Sequence, residues 1–433
     1  LKTGKTKKIN IITLGCSKNL VDSERLLKQL KSSNYSVSHD SDEPSDIIVV
    51  NTCGFINDAK QESIDTILNC LEAKRNALVK KVFVMGCLSE RYKSDLKNEL
   101  IDVDGFYGVA ELEQIVKDLD ATYKKELLSE RILTTPQHYA YLKIAEGCNR
   151  KCSFCAIPLI RGKFISKPIE SLIKEAKSLV TNGVKEILLI AQDLTYYGVD
   201  LYKESRLTEL LDRLSLIHGL KWIRLHYTYP IHFSDKLLKL INDRPNICKY
   251  IDIPLQHISD SILKSMKRGV TGKEQRDLVQ RIKKYISNAA IRTTMIVGYP
   301  GETEADFEKL KDFIQEIKFE RLGVFTYSSE EDTVAYQIED NVPEEVKNAR
   351  MEELMELQQQ ISLNLNEQKV NKIYKVIIDR KEGEFFVGRT EFDSPEVDNE
   401  VLIPIKSDCR IGEFYDVKVI SASPFDLYAK IVS

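Results

Sequence analysis

The chain has 433 residues, 42% of them hydrophobic and 30% charged, with a formal net charge of -3. That length exceeds what one hydrophobic core usually holds, so two to three domains are expected, and the near balance of charge gives no global attraction to nucleic acid or membrane. No run approaches the length of a membrane span, and the Lys-rich start passes into a strand-like segment without the apolar region of a signal peptide, so a cytosolic protein with no membrane partner is expected.

In the first third, the apolar runs INIITLGC, DIIVVNTCG and KVFVMGC read as strands. Asp22 to Leu30, Asp58 to Leu71 and Ala110 to Leu119 have apolar residues at helical spacing. This alternation is the pattern of a parallel sheet with covering helices, and it predicts an α/β domain over residues 8–122. The charged stretch from Ala121 to Gln137 has little periodicity and reads as a connector. From Tyr139 onward the segments YLKIAEG, EILLIAQ, WIRLHY, YIDIPLQ, IRTTMIVG and LGVFTYS alternate with helix-like sequence. Six βα steps predict a partial barrel. Pro343, followed by two glutamates, opens a long amphipathic helix to about Lys369, with Val346, Met351, Leu354, Ile361 and Leu365 near one face. Barrel and helix together make a second domain, residues 139–367. In the remainder, 368–433, Tyr374, Val376 and Ile378, then Tyr415, Val417 and Val419, alternate with mostly polar neighbours, which predicts a small β-barrel.

Nine cysteines, an odd number without a disulfide pattern, are expected to be reduced thiols used in packing or metal chemistry. Cys148, Cys152 and Cys155 form a CxxxCxxC loop after the first barrel strand. Three thiolates so close can grip one compact metal centre. A structural zinc site would want a fourth ligand nearby, whereas three thiolates on a four-iron cluster leave one iron open to a substrate-like ligand. Arg150 and Lys151 would favour thiolates, and Phe154 can shield the cluster. Cys16, Cys53 and Cys87 each end an apolar strand beside a glycine (Gly15, Gly54, Gly86). In a parallel sheet such strand ends gather along one edge, so these three are expected to converge as a second three-thiolate set. Cys70, Cys248 and Cys409 have no such pattern and read as packing residues. His257 could line the barrel mouth or be an ordinary satisfied histidine. Gly298-Tyr-Pro-Gly301-Glu302 could let backbone approach a nucleoside.

The loop, with Phe154 before its last cysteine, resembles the radical S-adenosylmethionine superfamily. That resemblance implies S-adenosylmethionine bound at the open iron, an external electron donor, and reductive cleavage to a radical. Two cysteine trios followed by a small β-barrel resemble the methylthiotransferase family. This implies a flavodoxin-like N-terminal domain, a partial (β/α)6 radical barrel and a C-terminal TRAM barrel. It also implies two 4Fe-4S clusters, the Cys16, Cys53 and Cys87 cluster carrying the sulfur to be inserted. Gln192 and Arg268 are candidate cofactor contacts by barrel position and resemblance; no catalytic residue beyond the cluster ligands is named. Asn149 stands where an aspartate is common. TLGCSKNLVDSE (Thr13 to Glu24), NTCGFINDAKQESI (Asn51 to Ile64), CNRKCSFCAIPLIRG (Cys148 to Gly162) and AQDLTYYG (Ala191 to Gly198) resemble the branch that modifies an aspartate β-carbon in ribosomal protein S twelve, free or on the small subunit. The branch that modifies adenosine in tRNA typically has a YGCQMN-like first motif.

Residues 371–433 contain 9 Lys plus Arg and 12 Asp plus Glu, a balance of 9 - 12 = -3. A domain that grips phosphates is basic, so no direct nucleic-acid binding is expected from this tail. Its acidic run from Glu391 to Glu400 is expected either to meet a basic ribosomal protein or to be a solvated loop.

Overall fold

In the computed structural model, which describes residues 7–432, the alternating segments of the first third form a five-stranded parallel sheet. Residues 1–6 of the Lys-rich start lie outside the described residues. The strands are β1 (Lys8–Thr13), β2 (Ser36–His39), β3 (Ile47–Thr52), β4 (Lys81–Gly86) and β5 (Gly105–Tyr107), in the order β2-β1-β3-β4-β5. This is the flavodoxin-like order. Helices α1 (Ser17–Lys31), α2 (Asn57–Arg75), α3 (Cys87–Glu99) and α4 (Leu112–Asp118) cover it. On one face Ile9, Ile11, Val49 and Phe83 pack with Leu26, Leu27 and Leu30 of α1; on the other Val50, Val82 and Val84 pack with Ile67 and Leu71 of α2. Sequence periodicity missed three elements. Strand β2 is a polar edge strand, β5 is only three residues long, and α3 buries few apolar side chains.

The stretch from Ala121 to Gln137 is pinned rather than loose. The Gln29 amide bonds the Lys124 backbone through both its nitrogen and its oxygen, at 2.8 and 2.9 Å, and buried Arg131 donates to Glu24 at 2.6 Å.

The central sheet comprises β6 (Tyr139–Lys143), β9 (Glu186–Ile190), β10 (Trp222–Leu225), β11 (Ile247–Asp252), β12 (Ala290–Val297) and β13 (Arg321–Thr326), all parallel, in the order β13-β12-β11-β10-β9-β6. A short antiparallel pair, β7 (Ala145–Glu146) and β8 (Ile165–Ser166), follows β6. Leu142, Leu189, Leu225, Ile251 and Ile291 face the helices in the largest core. Strand alternation puts Tyr139, Tyr141, Lys143, Glu186, Arg224, Asp252, Arg292 and Arg321 on the opposite, inward face.

The last five strands, β14 (Ile373–Glu382), β15 (Phe385–Thr390), β16 (Glu400–Pro404), β17 (Phe414–Ala422) and β18 (Asp426–Ile431), close a barrel around Val376, Ile378, Val401, Ile403, Val417, Val419 and Leu427. The helix Glu344–Glu367 precedes it. Of the expected apolar stripe Leu354 and Ile361 are buried, while Val346 is exposed. Polar residues share the buried face because they bond backbone on both sides: Gln358 donates to the Phe319 carbonyl, Ser362 to the Pro424 carbonyl.

Asp393 and Asp398 of the acidic run face inward, which corrects for them the expectation of an acidic docking surface or a solvated loop, while Glu396 stays exposed. The side chains of Asp393 and Asp398 are both about 1% exposed. Asp393 pairs with Arg321, whose Nε donates at 2.9 Å. Arg292 stands between Asp252 at 3.4 Å and Asp398 at 3.3 Å, and Tyr250 donates to Asp398 at 2.7 Å. Glu396 accepts from the hydroxyls of Tyr139 and Tyr141 at 3.0 and 3.4 Å. Fully buried Arg224 donates to Glu186 at 2.9 Å and to the Glu391 carbonyl at 2.7 Å. Cations on the inward face of the sheet would be costly to bury alone, and the run supplies their counter-charges.

Two predictions test this docking. Asp393→Ala leaves Arg321 buried without its carboxylate and is expected to cost about 3 to 5 kcal/mol in thermal or denaturant unfolding, with earlier proteolysis between barrel and tail. His226, just beyond β10, is bonded to Ser394 at 2.9 Å, and burial together with Arg224, Arg292, Lys18 and Arg389 holds its pKa well below the ordinary imidazole range. A depressed pKa means that the unfolded chain binds a proton the folded chain refuses, so this residue's contribution is complete above about pH 6.5 and is lost as pH falls. Stability is expected to drop by up to about 1.4 kcal/mol per unit below that pH from this group. A His226→Gln variant should lack that component of the measured pH slope.

Candidate active site

The loop carrying Cys148, Cys152 and Cys155 is closed at its base by the β7–β8 pair and by Cys148 N–H, which donates to the Gly162 carbonyl at 3.1 Å. Gly147 has φ +73°, and a Cβ there would stand 2.1 Å from the Lys163 carbonyl oxygen, so only glycine lets the loop close. Asn149 accepts from Phe164 N–H at 3.0 Å, a role within the loop. Phe154 packs toward Tyr299 and Tyr327. Burial pushes the Cys148 thiol up to about 11 and Cys155 up to about 12, with the neighbouring thiols adding to the rise. A bound metal centre supplies the positive charge that brings such thiols to thiolates.

Arg268 donates to Cys152 Sγ at 3.4 Å and to the Pro254 carbonyl at 2.6 Å. Its guanidinium and that of Arg150 each lie 4.2 Å from the Tyr229 ring centre, and Arg150 pairs with buried Asp193 at 2.8 Å. Gln192 is half-buried at the end of β9, next to Asp193.

The second trio gathers at the C-terminal edge of the first sheet. Cys16 caps α1, Cys53 follows β3, and Cys87 begins α3. Gly15 has φ +88°, and a Cβ on it would lie 2.7 Å from Cys53 Cβ. Burial raises Cys53, with Cys16 adding to the rise, and pushes Cys87 up to about 12 despite Arg161. Burial acts to raise Cys16 too, but Lys18, Arg161 and backbone N–H groups hold it below its ordinary value.

Arg161 joins the two trios. It ends the short helix Ile157–Arg161 that follows Cys155, and Ala156 and Ile160 of the same segment pack against Cys87. Its side chain is 1% exposed, donating to Cys87 Sγ at 3.4 Å, Asn19 at 2.6 Å and Glu146 at 2.8 Å. Beside this junction a cavity of about 140 Å³ is lined by Cys16, Tyr141, Tyr227, Asp252, Arg292 and Glu396, among others. Sequence reasoning passed over Arg161, Tyr229 and Lys18. Arg161 sits inside the cysteine motif's own segment, but nothing in its spacing says that the side chain turns toward the other trio.

Other expectations resolve differently. His257 is fully buried; its Nδ1 accepts from Ser259 N–H at 3.0 Å, while its Nε2 faces Glu302 at 3.4 Å without a hydrogen bond. A Cβ on Gly298 would meet Lys347 Cγ at 2.2 Å, so this glycine makes room for the long helix. Cys70 and Cys248 are buried and Cys409 half-buried, as packing residues would be.

Among the described residues no three His, Cys, Asp or Glu side chains stand as a site for a single metal ion. A trio holding a bulkier iron–sulfur cluster has its thiolates farther apart. The all-sulfur donor sets, the glycine cradle at Gly15, and an arginine N–H on one sulfur of each trio fit such a cluster.

Models of known families match in three blocks: Uncharacterized protein family UPF0004 over residues 8–108, the Radical SAM superfamily over 142–314, and the TRAM domain over 370–432. The chain is 58% identical over 432 residues to a "Ribosomal protein uS12 methylthiotransferase RimO" of Flavobacterium johnsoniae, covering 99% of each chain. It is 55% identical over 432 residues to the protein of that name in Bacteroides thetaiotaomicron, again covering 99% of each. Among solved structures, the radical S-adenosylmethionine methyltransferase TsrM from Kitasatospora setae shares the fold with a TM-score of 0.53 at 13% identity, over 74% of this chain and 75% of that one.

Gly15→Ala tests the cradle. A side chain in this left-handed conformation, pressed on Cys53, is expected to cost about 1 to 3 kcal/mol in thermal unfolding and to lower iron content on reconstitution. Unchanged stability and iron content would show that the turn adapts and that the cradle is unnecessary.

Proposed function

The chain belongs to the ribosomal protein uS12 methylthiotransferase family, within the radical S-adenosylmethionine superfamily, and we propose that it replaces a hydrogen on the β-carbon of an aspartate in uS12 with a methylthio group. An iron–sulfur cluster and S-adenosylmethionine supply, when bound, the radical that activates the carbon. Cys148, Cys152 and Cys155 hold the cluster that cleaves S-adenosylmethionine. Arg268 donates to Cys152 and keeps this region electropositive, while Arg150 is fixed by Asp193 and Tyr229. Gln192, at the end of β9, is the other candidate contact for the cofactor.

Cys16, Cys53 and Cys87 hold a second 4Fe-4S cluster, which bears the sulfur to be inserted. The observation that carries the two-cluster reading is the junction at Arg161: the segment leaving Cys155 packs on Cys87, so both trios face one region. Sulfur insertion needs the activated carbon and the sulfur within reach of each other. The cavity beside Cys16, roofed by the inward face of the central sheet and by Glu396, is where substrate is received. The partners are uS12, free or on the small subunit, and an electron donor. The tRNA alternative is not favoured, since the full-length relatives carry the ribosomal-protein name.

Separate replacement of the trios tests these roles. Cys152→Ala is expected to abolish reductive cleavage of S-adenosylmethionine, and cleavage that persists would sink the assignment. Cys53→Ala is expected to keep cleavage, to lose iron, and to leave uS12 without its methylthio group in intact-mass spectra; a fully modified uS12 would remove the second cluster from the reaction.

A further inference from the structure

We propose that Glu330 is a positioning residue for sulfur insertion, drawing together the two helices that leave Cys53 and Cys87 and holding them against the cysteine loop of the central domain, an inference that rests on the proposed function. Glu330 follows β13 and is 2% exposed. One oxygen of its carboxylate accepts from Arg91 at 2.7 Å and from Lys60 at 3.0 Å, and the other from the Ser328 hydroxyl at 3.0 Å. Arg91 donates in addition to the Glu331 carbonyl at 2.5 Å.

Both cations stand close to the first domain's cysteines. Arg91 is four residues after Cys87 in α3, about 6 Å along the helix axis, and Lys60 lies in the first turn of α2. Three residues on, buried Ser63 accepts from Cys53 N–H at 3.0 Å and donates to the Cys53 carbonyl at 2.9 Å, so α2 holds that cysteine by its backbone. On the other side of Glu330 the chain turns, with the Thr333 hydroxyl donating to the Glu330 carbonyl at 2.6 Å. Ala335 N–H then donates to the carbonyl of Ser153, between Cys152 and Cys155, at 2.8 Å. Short chain segments and hydrogen bonds therefore run from one trio to the other through this carboxylate. Arg161 already fastens Cys87 and Asn19 to the segment leaving Cys155. One fastening fixes a position and leaves orientation free, whereas Glu330 adds a hold on α2 and another on α3. Directed bonds between buried ions resist sliding, because a displacement leaves a charge alone. Sulfur insertion depends on how one trio is placed against the other, and a misplacement of about 1 Å can cost about a hundredfold in rate. Cleavage of S-adenosylmethionine is the work of one trio.

The test uses the reconstituted holoenzyme and Glu330→Gln, which keeps the shape and removes the charge. Without reductant, hydrogen exchange should quicken on the order of tenfold or more in the first turns of α2 and α3 as well as in residues 328–336. A change confined to 328–336 would overturn the inference. With reductant and a peptide spanning the modified aspartate of uS12, cleavage of S-adenosylmethionine should stay within about twofold of wild type, while the number of molecules cleaved per methylthio group inserted rises at least about tenfold. An unchanged ratio would overturn the inference. Should Glu330→Gln lose iron, the triple replacement Lys60→Met, Arg91→Met and Glu330→Leu decides: it buries no ion alone, so it folds without the directed bonds. A raised ratio in the triple variant supports the positioning role, and a wild-type ratio there refutes it. A wild-type enzyme that cleaves S-adenosylmethionine but leaves the peptide unmodified would overturn the proposed function and this inference with it, an outcome distinct from an unchanged ratio in the variants.

Discussion

Buried ion pairs fix how the two parallel sheets meet: Arg161 and Lys143 with Asp22, and Arg91 with Glu330, cross between them. Arg161 is surrounded by Asp22, Glu146, Asn19 and the Cys87 sulfur, drawn from both domains. Removing such a cation from water is repaid only when all its donors are directed at acceptors, so the domains have one relative placement that satisfies it. That placement turns the cysteine-bearing edge of the first sheet toward the cysteine loop of the second. The segment between Cys155 and Arg161 is short, which ties the loop's position to the junction.

The tail barrel is held by the same rule applied to more charges. The inward face of the central sheet presents Arg224, Arg292 and Arg321, side chains that cannot be left in a dry interior, and the 391–400 segment with Glu186 and Asp252 matches them. Apolar packing contributes at the edge, where Trp222 meets Phe414 at 4.8 Å between ring centres. A charge-paired interface of this kind specifies register more sharply than an apolar one, because each mismatch leaves an ion buried alone. It also leaves Asp393 and Asp398 unavailable to a basic protein.

Much of this architecture was legible in the chain. Hydrophobic alternation located the long strands of both parallel sheets, since strands buried on both faces read as continuous apolar runs. The cysteine spacing at Cys148, Cys152 and Cys155 needs no folding to bring its thiols together. The convergence of Cys16, Cys53 and Cys87 followed from one topological rule, that parallel strands end on the same edge. The short or polar elements β2, β5 and α3 were hidden because their place depends on neighbours already in position and not on their own periodicity.

What the sequence by itself determined is therefore the set of local and periodic features: which segments are strands and helices, which cysteines share a loop, and which strand ends hold the others. Only the tertiary structure decided where the charges go. Composition counts Glu391, Asp393, Glu396 and Asp398 as a negative patch, whereas the fold spends Asp393 and Asp398 on arginines and Glu396 on tyrosine hydroxyls. It likewise turns Arg161 from a motif's last charged residue into the joint between two domains, and sets Lys18 beside the Cys16 thiol. The physical reason is that a charge's value depends on its solvation and on partners far away in the chain, and neither is written in spacing.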